Sequence, residues 1–195
     1  MAMALTLLRF FLIIPFSACF FIPAAHPLAP HGMTIALVIF IIASITDYLD
    51  GYVARALNEV SVLGAALDPL ADKMLIAAAI LLMVNSKIIS GITILGALII
   101  LMREVMVTGF REAIALQGGS LPVTKIAKWK TTLQMIALPL LLATTPAIQS
   151  FEFKPLLGEQ FQPLAIGVFW AAVSLTLLSG ADYTIRAVKF LRNAS

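Results

Sequence analysis

The chain of 195 residues is 61% hydrophobic and 12% charged, with a net charge of +3 and a mean hydropathy of +1.03. Soluble domains are about half apolar and about a quarter charged, so this composition excludes an ordinary water-soluble fold and points to lipid as the solvent. The weak positive charge carries no basic stripe interleaved with aromatics, which excludes nucleic acid as a partner. A single cysteine, Cys19, excludes an internal disulfide.

A membrane-crossing helix needs about 20 apolar residues. Taken in chain order, the first apolar stretch covers 4–24 and is read as a retained span rather than a cleaved leader, because no clean small-residue cleavage site follows it. Pro27, Pro30 and Gly32, with His26 and His31, form a turn. The second helix is predicted over 33–57 and the third over 62–84, joined by a short link with Asn58, Glu59 and Ser61. The fourth covers 88–117 and is stopped by Gly118 and Gly119; the fifth covers 123–143. Residues 144–162 read as a loop holding a short amphipathic piece, and the sixth helix covers 164–191.

The predicted fold class is therefore all-α, a polytopic membrane protein with a six-helix bundle in one domain over 1–195. Arg9, Arg55, Arg111, Lys125, Lys128, Lys130, Arg186, Lys189 and Arg192 gather on one side of that bundle. Lys87 and Lys154 fall on the other, so both termini are expected in the cytoplasm.

The chemistry concentrates between Asp47 and Asp72, in DYLDGYVARALNEVSVLGAALDPLAD. Asp47 and Asp50, at i and i+3, share a face of the second helix with Gly51 and Ala54. Gly64, Asp68 and Asp72 share a face of the third. The short link makes these helices antiparallel neighbours, so the acidic faces are expected to meet near the cytoplasmic ends. An unpaired carboxylate in a span costs about 2.5–3.5 kcal/mol, and four together repel one another. Bound cations remove both costs. An all-oxygen donor set suits magnesium or manganese rather than zinc, and two such ions can clamp a diphosphate. Gly51, Ala54 and Gly64 either pack the helices closely or leave space for a phosphate or ribose near backbone, and Arg55 either sets topology at the cytoplasmic end or contacts the diphosphate. No Ser, Cys or His shares the acidic helix faces, so a direct displacement is predicted, without a covalent enzyme intermediate.

These residues resemble the signature of the CDP-alcohol phosphotransferase family, D-x-x-D-G-x-x-A-R-x(8)-G-x-x-x-D-x-x-x-D, matched from Asp47 to Asp72. The resemblance implies a metal-dependent membrane enzyme. Asp47, Asp50 and Asp68 would hold one divalent ion, and Asp47, Asp68 and Asp72 a second. Asp72 would also be the general base, and Gly51, Ala54, Arg55 and Gly64 would line the CDP site. Family members are commonly homodimers.

Which alcohol is accepted depends on the second half. Arg103-Glu104 and Arg111-Glu112 lie on the fourth helix. Glu104 and Arg111, seven apart, share a face, which leaves open an internal Arg–Glu pairing or an Arg111 that binds an acceptor phosphate, with Arg103 helping. Lys125 and Lys128 share a face of the fifth helix and would serve the same phosphate. Lys130 points elsewhere and is expected to snorkel, and Trp129 to anchor at the interface. The pieces REVMVTGFRE, KIAKWKTTLQM and GAALDPLADKML resemble the bacterial branch that makes phosphatidylglycerophosphate. The substrates implied are CDP-diacylglycerol and sn-glycerol 3-phosphate, at the cytoplasmic face of the bacterial inner membrane. Inositol phosphate and phosphatidylglycerol are the alternative acceptors. A cation or proton transporter is the other class that uses intramembrane acids, but neither inverted repeats nor broken helices are evident.

Overall fold

A computed structural model describes the backbone of residues 2–23, 25–57, 62–149 and 161–194, and their side chains apart from 2–10, 47–69, 72, 147, 149 and 193–194. Among the described residues the structure is helical throughout, with no strand. The elements are α1 (Ala2–Cys19), a 3-10 turn (Ala29–His31), α2 (Gly32–Leu57), α3 (Val62–Asn85), α4 (Thr93–Leu116), α5 (Lys125–Ala143), the single turn α6 (Pro146–Gln149) and α7 (Phe161–Ala194). Three of them contain stretches long and apolar enough to cross a membrane: Ala29–Thr46 leading through α2, Thr93–Leu116 in α4 and Phe161–Arg192 in α7. At 1.5 Å per residue α7 is roughly 50 Å long, against a hydrocarbon layer of ~30 Å.

The chain forms two compact units, Met1–Ile89 with Leu138–Pro163, and Ser90–Ala137 with Leu164–Ser195. In the first, α1 packs on both α2 and α3. The buried face of α2 is Ala36, Phe40 and Ala43, and that of α3 is Ala71, Leu75, Ala79 and Met83, the 3–4 spacing of a helix stripe. Small residues at these positions let helices approach closely. Phe16 of α1 is fully buried, with its ring centroid 5.9 Å from that of Phe40 on α2 and 5.3 Å from that of Phe20. Gly32 opens α2 directly under α1, where a Cβ would stand 3.0 Å from the Cys19 carbonyl oxygen.

The second unit is built on three such stripes. On α4 the buried residues are Gly96, Ala97, Ile100, Arg103, Val107 and Ile114. On α7 they include Phe169, Val173, Thr176, Gly180, Tyr183 and Ala187, and on the first part of α5 they are Ala127, Lys130, Gln134 and Ala137. Gly96 is where α7 comes closest, since a Cβ there would lie 2.8 Å from Phe169 Cε1 and 3.0 Å from Val173 Cγ2. Gly96→Ala is accordingly expected to destabilise the protein by about 1–3 kcal/mol, the usual cost of overpacking. Thermal unfolding in detergent measures it, and an unchanged midpoint contradicts the close approach.

Helix ends correct several predicted bounds. The first helix stops at Cys19, short of 24, where turn bonds from Phe20 N to Ser17 O and Phe21 N to Ala18 O take over ahead of Pro23. The fourth begins at Thr93, not 88, because α3 ends in a Schellman cap. Ile88 N donates to Met83 O (2.9 Å) and Lys87 N to Val84 O (3.1 Å), with Lys87 at φ 59°, the left-handed position usually given to glycine. The Thr93 hydroxyl then accepts from Ser90 N (3.0 Å) at the start of α4. The other end of α4 follows the same rule. Gly118, at φ 73°, supplies the left-handed residue, and Gly119 N bonds to Ile114 O at 3.0 Å. The sixth predicted helix is longer than 164–191; Pro163 is accommodated in the first turn of α7, where its missing N–H costs nothing.

Candidate active site

Asp47 and Asp50 stand in the last third of α2, and Asp68 and Asp72 in the first third of α3. Both acidic pairs therefore lie on unbroken helix, and the i,i+3 and i,i+4 spacings place each pair on one helix face. Gly51, Ala54 and Arg55 continue α2, and Gly64 opens the acidic face of α3. The side chains of these positions lie outside the described residues. As a donor set, four carboxylates fit hard, oxygen-seeking dications such as magnesium or manganese.

The second unit holds a polar cluster inside its apolar stripes. Arg103 is 8% exposed, Lys130 2% and Tyr183 1%. The Glu104 carboxylate accepts from Lys130 Nζ in a close ion pair, and from Arg103 Nη1 at 3.4 Å. This corrects the expectation for Lys130 and shows an internal Arg–Glu pairing, between neighbours. Lys130 does not snorkel to the surface; it faces the interior, three residues past Ala127 on the same buried stripe. Glu104 pairs with Arg103 and Lys130 and not with Arg111.

Arg111 turns to α7 instead, donating from Nη2 to the Tyr183 hydroxyl at 3.2 Å. The guanidinium carbons of Arg103 and Arg111 lie 5.3 and 5.4 Å from the Tyr183 ring centroid, within cation–π range. Below them Gln134 Nε2 donates to Thr176 Oγ1 at 3.0 Å. Gly180 makes room for Arg103, whose Cγ would be 3.1 Å from a Cβ at that position.

The cluster is not satisfied internally. Arg103 Nε and Nη2 and Arg111 Nε are buried without a hydrogen-bond partner. Among the described residues, Arg103 and Lys130 share the Glu104 carboxylate, while Arg111 bonds to the Tyr183 phenol. Buried donors left open cost free energy, and more so when charged, so this cluster is suited to an anion. Beside it, Arg103 also borders a groove of about 720 Å³ whose other walls, Ile99, Met102, Met106, Leu177 and Ile185 among them, are mainly apolar. Lys125 and Lys128, the other predicted phosphate ligands, open α5 and are exposed. Trp129 is exposed as well.

Tyr183, Lys130 and the Gln134–Thr176 pair were not among the predicted site residues. The sequence signal for Tyr183 was a tyrosine in a 3–4-spaced buried stripe, since a buried phenol needs hydrogen-bond partners.

Fold and residues together define an all-helical membrane protein with an acidic signature on two helices and unfilled cationic donors in its interior. The chain belongs to the CDP-alcohol phosphatidyltransferase family, whose sequence model matches residues 1–178. It is 33% identical over 190 residues to the CDP-diacylglycerol–glycerol-3-phosphate 3-phosphatidyltransferase of Cereibacter sphaeroides, covering 84% of this chain and 86% of that one. Proteins of the same name from Rickettsia bellii (37% identity, 80% of each chain) and Bacillus subtilis (37% identity, 83% of this chain and 74% of that one) are similar as well.

Proposed function

We propose that this chain transfers the phosphatidyl group of CDP-diacylglycerol to sn-glycerol 3-phosphate, giving phosphatidylglycerophosphate and CMP. The observation that carries the choice of acceptor is the buried cationic cluster with open donors at Arg103 and Arg111. An acceptor that already bears a phosphate needs such donors; a neutral or cationic alcohol does not. The names of the relatives agree with this choice.

In the proposed reaction Asp47, Asp50, Asp68 and Asp72 hold two divalent ions, magnesium or manganese, which when bound neutralise the diphosphate and the departing CMP. Gly51, Ala54, Arg55 and Gly64 line the CDP pocket. Arg111, with Arg103, Lys125 and Lys128, holds the phosphate of glycerol 3-phosphate and aims its free 1-hydroxyl at the lipid phosphorus. Asp72 takes the hydroxyl proton. The new bond forms from that oxygen to the lipid-side phosphorus, and the bond from this phosphorus to the bridging oxygen breaks, so CMP carries away the electron pair. Fixing both reactants in this alignment is the larger part of what the residues contribute.

The same proposal includes a single catalytic domain over 1–195, six membrane spans, both termini and the active site in the cytoplasm, residence in the bacterial inner membrane, and a homodimer. Cysteine-accessibility labelling and in-membrane cross-linking address topology and assembly. For the function itself, purified protein is given CDP-diacylglycerol with glycerol 3-phosphate, inositol phosphate or phosphatidylglycerol, and CMP release is followed with and without magnesium. Release should require glycerol 3-phosphate and the metal; a higher kcat/KM with another acceptor overturns the assignment. Arg111→Gln should raise the KM for glycerol 3-phosphate roughly 30-fold or more, as expected when one partner of a buried charged contact is removed, with the KM for CDP-diacylglycerol unchanged.

A further inference from the structure

We infer that Tyr183 is a positioning residue for the acceptor-phosphate site, a role that rests on the reading of Arg103 and Arg111 as phosphate ligands. Its hydroxyl is fully used: it accepts from Thr124 N (3.1 Å) and Arg111 Nη2 (3.2 Å) and donates to Pro122 O (3.2 Å). One donor and two lone pairs are all a phenol has. Through these bonds one atom fixes Arg111 of α4 to the start of α5. Thr124 is the residue before that helix, and its hydroxyl accepts from Ala127 N at 3.3 Å as an N-cap does. Lys125 and Lys128 follow in the next turn. Two segments, α4 with Arg111 and the stretch from Pro122 to Thr124 that leads to Lys125 and Lys128, are thus held together by Tyr183.

The ring does a second job. Two guanidiniums approaching one place repel, and a carboxylate between them would relieve the repulsion by cancelling the charge that an anionic substrate needs. The Tyr183 ring attracts both guanidiniums through its quadrupole while remaining neutral, at 5.3 Å from Arg103 Cζ and 5.4 Å from Arg111 Cζ. Among the described residues no carboxylate pairs with Arg111, whose hydrogen bond goes to the phenol. Its Nε, and Nε and Nη2 of Arg103, stay open. Tyr183 therefore holds the two arginines in place and leaves the charge of Arg111, and the open Nε and Nη2 of Arg103 beyond its pair with Glu104, for the substrate.

The test is steady-state kinetics on the full-length protein in detergent or nanodiscs, with magnesium, comparing Tyr183→Phe, Tyr183→Leu, Arg111→Gln and the double variant Tyr183→Phe/Arg111→Gln. Phenylalanine keeps the ring and its burial and removes the hydroxyl. It should raise the KM for glycerol 3-phosphate about 10-fold, in line with a hydrogen bond to a charged group, with kcat and the KM for CDP-diacylglycerol within about 2-fold of wild type. Leucine also removes the ring and should raise the same KM further. In the Arg111→Gln background the phenylalanine change should add little, because both act through one guanidinium. If Arg111→Gln raises the KM and Tyr183→Phe does not, the positioning role is wrong and the phosphate reading stands. If neither changes it, the phosphate reading itself fails. A Tyr183→Phe protein that loses kcat and both affinities together, with a lowered unfolding midpoint, shows a merely structural residue and also overturns the inference.

Discussion

Asp68→Asn is expected to lower CMP release at least about 1,000-fold, at saturating CDP-diacylglycerol and glycerol 3-phosphate and whatever magnesium is supplied. Asparagine has nearly the volume of aspartate and leaves α3 intact, so the loss isolates charge. In the proposed arrangement Asp68 is shared by both ions, and replacing a shared anionic ligand with an amide weakens two hard-cation contacts at once. Charge neutralisation at a phosphoryl centre is the term that such ions supply, and it is worth several kcal/mol. A readout independent of turnover separates this from damage. Ligands that bind only the folded state raise its stability by about 2.7 kcal/mol at a hundred times their dissociation constant. Wild-type protein should gain thermal stability on addition of magnesium with CDP-diacylglycerol. The variant should gain far less. Without metal the order should reverse, the variant being as stable as wild type or more so, because one repelling charge is gone. A variant retaining a tenth of wild-type turnover, or the full metal-induced shift, would show that the acidic faces are not a shared cation site.

The acidic signature was legible in the sequence as residue type and spacing, and Asp47, Asp50, Asp68 and Asp72 all fall on continuous helix as that spacing requires. Helix ends were legible where backbone geometry demands a residue type, as at Gly118 and Gly119 after α4. They were not where an ordinary residue does the unusual thing: Lys87 takes the left-handed position, and the start of α4 moved from 88 to Thr93. The cation cluster was half legible. Arg103 and Arg111 stood out as charges in an apolar helix, but their partners come from far along the chain. Lys130 meets Glu104 across 26 positions, and Tyr183 meets Thr124 and Arg111 across 59 and 72. A lysine near a helix end reads as an interfacial residue until packing shows which way its helix faces.

Glu104→Gln is expected to produce the largest loss of stability, about 3–5 kcal/mol. The ion pair is buried on both sides, with 12% of the Glu104 side chain and 3% of the Lys130 side chain exposed. Removing one partner of a buried pair costs about that much because the other charge loses its closest counter-ion, whereas removing both costs much less. The amide keeps the shape, and its carbonyl can still accept where Oε1 did, because Lys130 and Arg103 both bond to that one oxygen; what it loses is the counter-charge. Lys130→Met in the same background should therefore restore most of the lost stability, a coupling that a double-mutant cycle of unfolding midpoints in detergent measures directly. The cycle also bears on function. Glu104 is the carboxylate paired with Arg103 and Lys130, so its loss strengthens the pull of Arg103 on any anion that docks there. Glycerol 3-phosphate, or inorganic phosphate at higher concentration, should stabilise Glu104→Gln more than it stabilises wild type. If the variant unfolds within 1 kcal/mol of wild type, the pair is effectively solvated. If phosphate stabilises neither protein, the open donors of Arg103 and Arg111 serve packing rather than substrate.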